Sequence, residues 1–191
     1  MSEALETHGL DTADQVFFYE QDFYVLSNFS AFSLMWKLSE REGLGRFDTS
    51  EALYHWLKFS GRAHPQRVPT ADQCTVAAAI RAAPSAHEAF LIAQRHKAHR
   101  RVDWDDIKLD VMRGILRAKA DQHEYVRRKL LATGDRELVE NSWRDDFWGW
   151  GPNRDGQNML GKLWMELRAE LRATPTDLDE PVSPPPAGGV K

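Results

Sequence analysis

Apolar and polar positions divide the 191-residue chain into an aromatic, β-branched opening, a series of helical periodicities and one glycine-rich loop near the end. The stretch QVFFYEQDFYVLSNFSAFSLMWKL, beginning at Gln15, is rich in residues that fit a pleated, half-buried surface. The polar pair Ser27-Asn28 interrupts it, so two short strands around a polar turn are expected. The segment EREGLG reads as a loop. From Asp48 the run DTSEALYHWLKFSG carries a helix start: Asp48 with Glu51 three positions on fits a capping box, and Gly61 fits a terminator. Further helical periodicity falls near 71–82, 84–99, 103–121, 122–132 and 160–172, with Gly and Asn punctuating a loop over 145–158. The sum is an α+β chain, helix-rich, with a small N-terminal antiparallel sheet.

Composition bounds this picture. The length and a 42% hydrophobic share suit one domain with a single sizeable core. Residues 1–15 are polar and acidic without periodicity, and residues 173–191 hold five of the nine prolines. Both ends have too few apolar groups to offset their ordering entropy, which leaves 16–172 as the working domain. The one cysteine, Cys74, excludes an intramolecular disulfide framework and a cysteine-built zinc cluster. The N-terminus has no basic and apolar leader, and nowhere do eighteen apolar residues run together; a cytoplasmic protein that does not span a membrane is expected.

The net charge of −4 argues against a generally basic nucleic-acid binder, but residues 95–129 carry 11 Lys or Arg against 6 Asp or Glu. That local excess fits either a solvated helical face or a strip that faces phosphates.

Two clusters carry candidate chemistry. On the Asp48 helix, Glu51 and Lys58 point in nearly the same direction at 100° per residue, while separated by about 10 Å along the axis. Tyr54 and His55 lie between them, and Leu53, Trp56 and Leu57 take the other side, towards a core. One face thus presents an acid, a phenol, an imidazole and an amine. In the second cluster, WRDDFWGWGPNRDGQNMLG, Trp143, Trp148 and Trp150 share a loop with Asp145, Asp146, Asn153, Asp155 and Asn158. Flat aromatic walls beside carboxylates and amides suit a planar heterocycle, and equally a core-packing aromatic loop. The glycines form neither a dinucleotide nor a P-loop pattern, no GxSxG elbow is present, and Cys74 sits in an Ala-rich helix. His96 and His99 lack a third ligand in a metalloenzyme register, and no metal site is expected.

Taken in order, four blocks resemble the NADAR family of YbiA-like N-glycosidases. They are FFYEQDFYVLSNFS at 17–30, TSEALYHWLKF at 49–59, RVDWDDIKLDVMRGILRAK at 101–119 and LLATGDRELVENSWRDDFWGWGPNRDGQNMLGKLWMELR at 130–168. The resemblance implies a YbiA-like fold and hydrolysis of the bond between ribose C1 and an exocyclic amine, with no metal or redox cofactor. It implies one of two substrates: ribosylaminopyrimidine intermediates of riboflavin biosynthesis, or guanine in DNA bearing ADP-ribose on its exocyclic nitrogen. Both are glycosylamines, whose open-chain form exposes an imine carbon to a lysine amine.

On the family's motif positions, Lys58 is implied as the nucleophile at C1 and Glu51 as the proton shuttle. Asp145 falls in the family's Asp-x-aromatic-Trp-Gly element, as an acceptor for a ribose hydroxyl or a base edge. Trp148 would stack on the heterocycle, with Tyr54 and His55 beside it. Asn28 and Asn158 would orient ribose or base, and Arg101 with Trp104 would contact the sugar phosphate. The chain departs from the family where Ala52 replaces a motif histidine and where Gln94-Arg95 stands near the place of a Gly-Arg pair. A non-catalytic ADP-ribose- or NAD-binding module is the alternative reading, and a purely structural helical module a third.

Overall fold

The computed structural model describes residues 9–19, 24–39, 41–60 and 68–173. Among them are six α-helices and two two-stranded sheets, an α+β arrangement. Strand β1 (Gln15–Phe18) is the first of the two expected strands, and Val16, Phe17 and Phe18 are all buried. It does not pair with the second. It runs parallel to β4 (Glu137–Glu140), with Gln15 opposite Glu137 and Phe18 opposite Glu140. Strand β4 is not legible in the sequence, because a four-residue ELVE run is too short for a period of two to declare itself.

The second expected strand, β2 (Leu34–Ser39), forms an antiparallel hairpin with β3 (Gly43–Phe47). Strand β3 occupies part of the segment read as a loop, and the glycines that suggested a loop serve the hairpin. Gly43 takes φ +68° at the turn, and a Cβ on Gly45 would stand 2.6 Å from a Leu38 methyl. The polar turn around Ser27-Asn28 is present, entered through a 3-10 turn at Tyr24–Leu26.

Helix α1 (Ser50–Leu57) starts one residue later than a cap at Asp48 requires. Thr49 has the extended backbone of an N-cap, and its hydroxyl accepts from the Ala52 N–H at 3.1 Å. Asp48 is exposed beside Arg46, and the Glu51 carboxylate is engaged by His55. Gly61 lies outside the described residues.

Helix α2 (Ala71–Arg81) carries a complete capping box between Thr70 and Gln73, and Ser85 caps α3 (Ala86–Arg95). The chain then breaks into a 3-10 turn at Lys97–His99, so the helix expected through 99 ends early. Helices α4 (Trp104–Gln122), α5 (Glu124–Ala132) and α6 (Met159–Ala173) match the expected positions. No helix among the described residues is long and apolar enough to cross a membrane.

Trp104, Trp164, Phe18, Phe59, Leu53, Ile115 and Leu116 lie in one buried cluster, each such side chain contributing about 1.5–3 kcal/mol by leaving water. Helix α6 lies hard against β4: a Cβ on Gly161 would collide with the Leu138 carbonyl oxygen. Of the ends read as disordered, residues 9–14 make hydrogen bonds. Thr12 accepts from the Asp14 and Gln15 N–H groups, and Asp11 accepts from Phe17 N–H. Ala173 closes α6, and residues 1–8 and 174–191 lie outside the described residues.

Candidate active site

The amphipathic split of α1 is realised as its spacing dictates. Leu53, Trp56 and Leu57 are buried in the core, while Glu51, Tyr54, His55 and Lys58 line a cavity of about 410 Å³. The turn at 27–30 brings Asn28 and Phe29 to this cavity, α3 brings His87, Phe90 and Gln94, and α4 brings Met112. The end of β4 and the loop after it contribute Glu140, Ser142, Arg144, Asp145 and Trp148. Tyr24 and Phe29, both exposed, line the cavity, as does Arg144, whose guanidinium lies 4.3 Å from the ring centre of exposed Trp143.

The four α1 groups form a connected electrostatic unit. His55 Nε2 lies 2.7 Å from Glu51 Oε1, and His55 Nδ1 is buried with no hydrogen-bond partner among the described residues. A bare Nδ1 suits a lone pair better than an N–H, which assigns a neutral imidazole donating through Nε2. Burial holds the His55 pKa below its ordinary value against the pull of Glu51. Burial also acts to raise the Glu51 pKa, but His55, its hydrogen bond and Lys58 outweigh this, and Glu51 stays ionised.

Lys58 Nζ sits 4.5 Å from the centre of the Tyr54 ring and 5.7 Å from that of Trp104. Burial lowers its pKa to about 8, opposed by Glu51 and Asp145 and assisted by Arg100 and Lys97. Burial and the Glu51 charge push the Tyr54 phenol above its ordinary range, so it keeps its proton. Its ring packs edge-on against Trp104 and Trp148.

Seven residues expected at the site from the sequence converge on the cavity: Glu51, Tyr54, His55, Lys58, Asn28, Asp145 and Trp148. Asp145 Oδ1 accepts from the N–H groups of Phe147 and Trp148, a local turn that sets the indole's place. Asn28 Oδ1 is buried without a hydrogen-bond partner among the described residues, and the Asn28 carbonyl accepts from the Glu51 N–H.

Three expected contacts lie elsewhere. Arg101 is buried, bound through Nε and Nη2 to the Asp103 carboxylate at 2.7 Å each, and its backbone N–H closes on the Lys58 carbonyl. It braces the end of α1 from behind instead of facing a phosphate. Trp104 is core, one layer behind Tyr54. Asn158, at φ +50°, clamps β4: its amide donates to the Leu138 carbonyl and accepts from the Glu140 N–H.

Sequence reading missed Glu140 and Arg144 in the wall, and Lys119 behind it. Glu140 ends a strand too short to recognise. Lys119 occupies a buried position of α4, where its Nζ donates to the Ser27 carbonyl at 2.9 Å and to Ser30 Oγ at 2.7 Å. A lysine on the apolar stripe of a helix was the one available signal. Among the described residues, no group of three or more His, Cys, Asp or Glu has the geometry to hold a metal ion. His96 and His99 lie with ring centres 6.1 Å apart on the surface, and His99 pairs with Asp72.

Comparisons with known proteins agree with this architecture. An N-glycosidase of Nostoc punctiforme is 38% identical over 124 residues, 65% of this chain and 74% of that one. A riboflavin biosynthesis protein of Vibrio vulnificus is 43% identical over 90 residues, 47% of this chain and 24% of its own length, so the match spans about a quarter of that relative. The NMR structure of Escherichia coli YbiA superposes with a TM-score of 0.66 at 31% identity, covering 86% of this chain and 88% of the other. A model of the NADAR domain matches residues 17–172, a stretch that holds α1, β4 and every described wall of the cavity, and the chain therefore belongs to the NADAR family.

Proposed function

We propose that this protein is an N-glycosidase that hydrolyses the bond between ribose C1 and an exocyclic amine through a Schiff base on Lys58. The observation that carries the reading is an amine in a cavity, brought by burial to about 8 and flanked by carboxylates able to take its proton. At neutral pH an appreciable fraction of Lys58 is the free amine that attack on C1 requires. Glu51, ionised and fixed by His55, relays protons between the reacting nitrogens. Trp148 offers a face for the heterocycle, and Asp145 and Asn28 offer acceptors for its edge or for ribose hydroxyls. The names of the Nostoc and Vibrio relatives support glycosidic chemistry on a riboflavin-pathway ribosylamine. Arg144 in the cavity wall, with its guanidinium against the exposed Trp143 ring, supports the larger alternative, ADP-ribosylated guanine in DNA.

The test is a mass-spectrometric product assay on wild type and Lys58→Ala, with a ribosylaminopyrimidine phosphate in one reaction and an oligonucleotide bearing ADP-ribosylated guanine in the other. Release of ribose 5-phosphate by wild type alone identifies a metabolite hydrolase. Release of ADP-ribose from DNA, weakening steeply with added salt, identifies a DNA-modification eraser. Binding without release in either reaction overturns the catalytic reading in favour of an ADP-ribose-binding module.

A further inference from the structure

We propose that Glu140 is the acid of this site, the carboxyl that protonates the departing amine; the inference rests on the Lys58 reading and divides its proton transfers between two carboxyls. Glu140 ends β4 and is fixed on three sides. Its N–H donates to Asn158 Oδ1 at 3.0 Å, its carbonyl accepts from Trp150 N–H at 3.2 Å, and the next residue, Asn141, donates to the Phe18 carbonyl. The side chain faces the same cavity as Lys58, Glu51 and Asp145. Its Oε2 is shut off from solvent and has no hydrogen-bond partner among the described residues.

A buried carboxylate with a bare oxygen, facing two other carboxylates, is expensive, whereas a protonated carboxyl there is not. Burial, then the charges of Glu51 and Asp145, drive its pKa well above the ordinary range, with Lys119 opposing from behind. Glu51 is pushed the opposite way by His55. Two carboxyls in one cavity with opposed protonation are the usual division into base and acid.

The proton balance closes with these groups alone. The glycosylamine opens to its imine, an isomerisation with no net proton. The Lys58 nitrogen bonds C1, the C=N electron pair moves to the exocyclic nitrogen, and that nitrogen takes a lysine proton relayed by Glu51. Glu140 then gives its proton to the exocyclic nitrogen. The C1–N bond breaks with its electron pair on the leaving amine, and the lysine lone pair forms the Schiff base. Water adds to C1 and returns a proton to the Glu140 carboxylate. The resulting carbinolamine collapses to the sugar aldehyde, with its hydroxyl proton passed through Glu51 to Lys58.

The experiment uses N-aryl ribosylamine 5-phosphates of graded amine basicity, with end-point borohydride labelling by ribose 5-phosphate as a separate readout. For Glu140→Gln, kcat/KM is expected to fall about 10²–10⁴-fold for the most basic leaving amine and less than about tenfold for the least basic. Labelling of Lys58 should still reach the wild-type end point, and Glu140→Asp should retain part of the lost rate. An equal loss across the series, or no loss, overturns the acid role. A Glu140→Gln protein that cannot be labelled also overturns it, since Glu140 would then build the site. Wild type that is never labelled at Lys58 removes the parent reading instead, which separates the two failures.

Discussion

Two lysines among the described residues are withdrawn from water, and their surroundings differ in the one respect that chemistry needs. Lys58 and Lys119 both have amines lowered by burial, to about 8 and about 7. Lys119 spends its donors on a carbonyl and a hydroxyl of the turn at 27–30, under the rings of Phe32 and Trp164. Lys58 opens on a cavity beside Glu51 and Asp145. A depressed pKa is therefore a mark of burial, and reactivity requires space for an electrophile and a base to take the proton. Lys119 acts as a positioning residue: it holds the turn whose Asn28 carbonyl caps the Glu51 N–H and whose side chains form one wall.

The sharpest way to break this comparison is to remove each amine. Lys58→Ala is expected to reduce turnover by roughly 10⁴-fold or more, with folding intact, since it deletes the proposed nucleophile. The product assay above measures it, and activity within tenfold of wild type would place the two lysines on an equal footing. Lys119→Met should act more gently. A displaced turn should lower kcat/KM by roughly 10–100-fold, while Lys58 remains open to borohydride labelling by ribose 5-phosphate.

Titration sharpens the contrast further. Below about pH 8 Lys58 is mostly ammonium, so kcat/KM should rise about tenfold per pH unit on the acid side and level off near that value. Glu51 holds the Lys58 pKa up, so Glu51→Gln should move it down, as read by carbon-13 NMR of reductively methylated lysines. An upward move would mean that Glu51 does not face the amine.

The smallest effect concerns stability. Between about pH 7 and the ordinary lysine value near 10.5, the unfolded chain holds a proton on Lys119 that the folded chain lacks. Unfolding free energy then rises with pH across that window, and Lys119→Met should flatten the rise. Urea midpoints from pH 7 to about 10 test this. An unchanged slope would show that the Lys119 amine stays charged in the fold.

The parts of this site legible in the sequence are those made by local periodicity. Glu51, Tyr54, His55 and Lys58 share a face because a helix repeats every 3.6 residues, and that needs no knowledge of the rest of the chain. The Asp145 to Trp148 turn is likewise local. What failed depended on distant partners or on depth. Strand β4 exists because β1 lies beside it, and nothing within ELVE announces that. The residues of β3 look like a loop until Leu38 is seen to need the space over Gly45. The resemblance implies ligand contacts for Arg101, Trp104 and Asn158 from their motif positions, yet a motif position does not say on which side of a wall a side chain stands. Each supports the wall from behind.

The pairing of β1 with β4 also sets an order of assembly. Gln15 and Glu137 lie 122 positions apart, so closing this sheet costs more chain entropy than forming α1 or the hairpin at 34–47. During synthesis, Lys58 and its helix emerge long before β4 exists. The carboxyl at the end of β4 reaches the cavity only when the two ends of the domain meet. Amide protection in β1 and β4 should therefore appear after that in α1 during refolding, and the proposed nucleophile is built first but gains its proposed acid last.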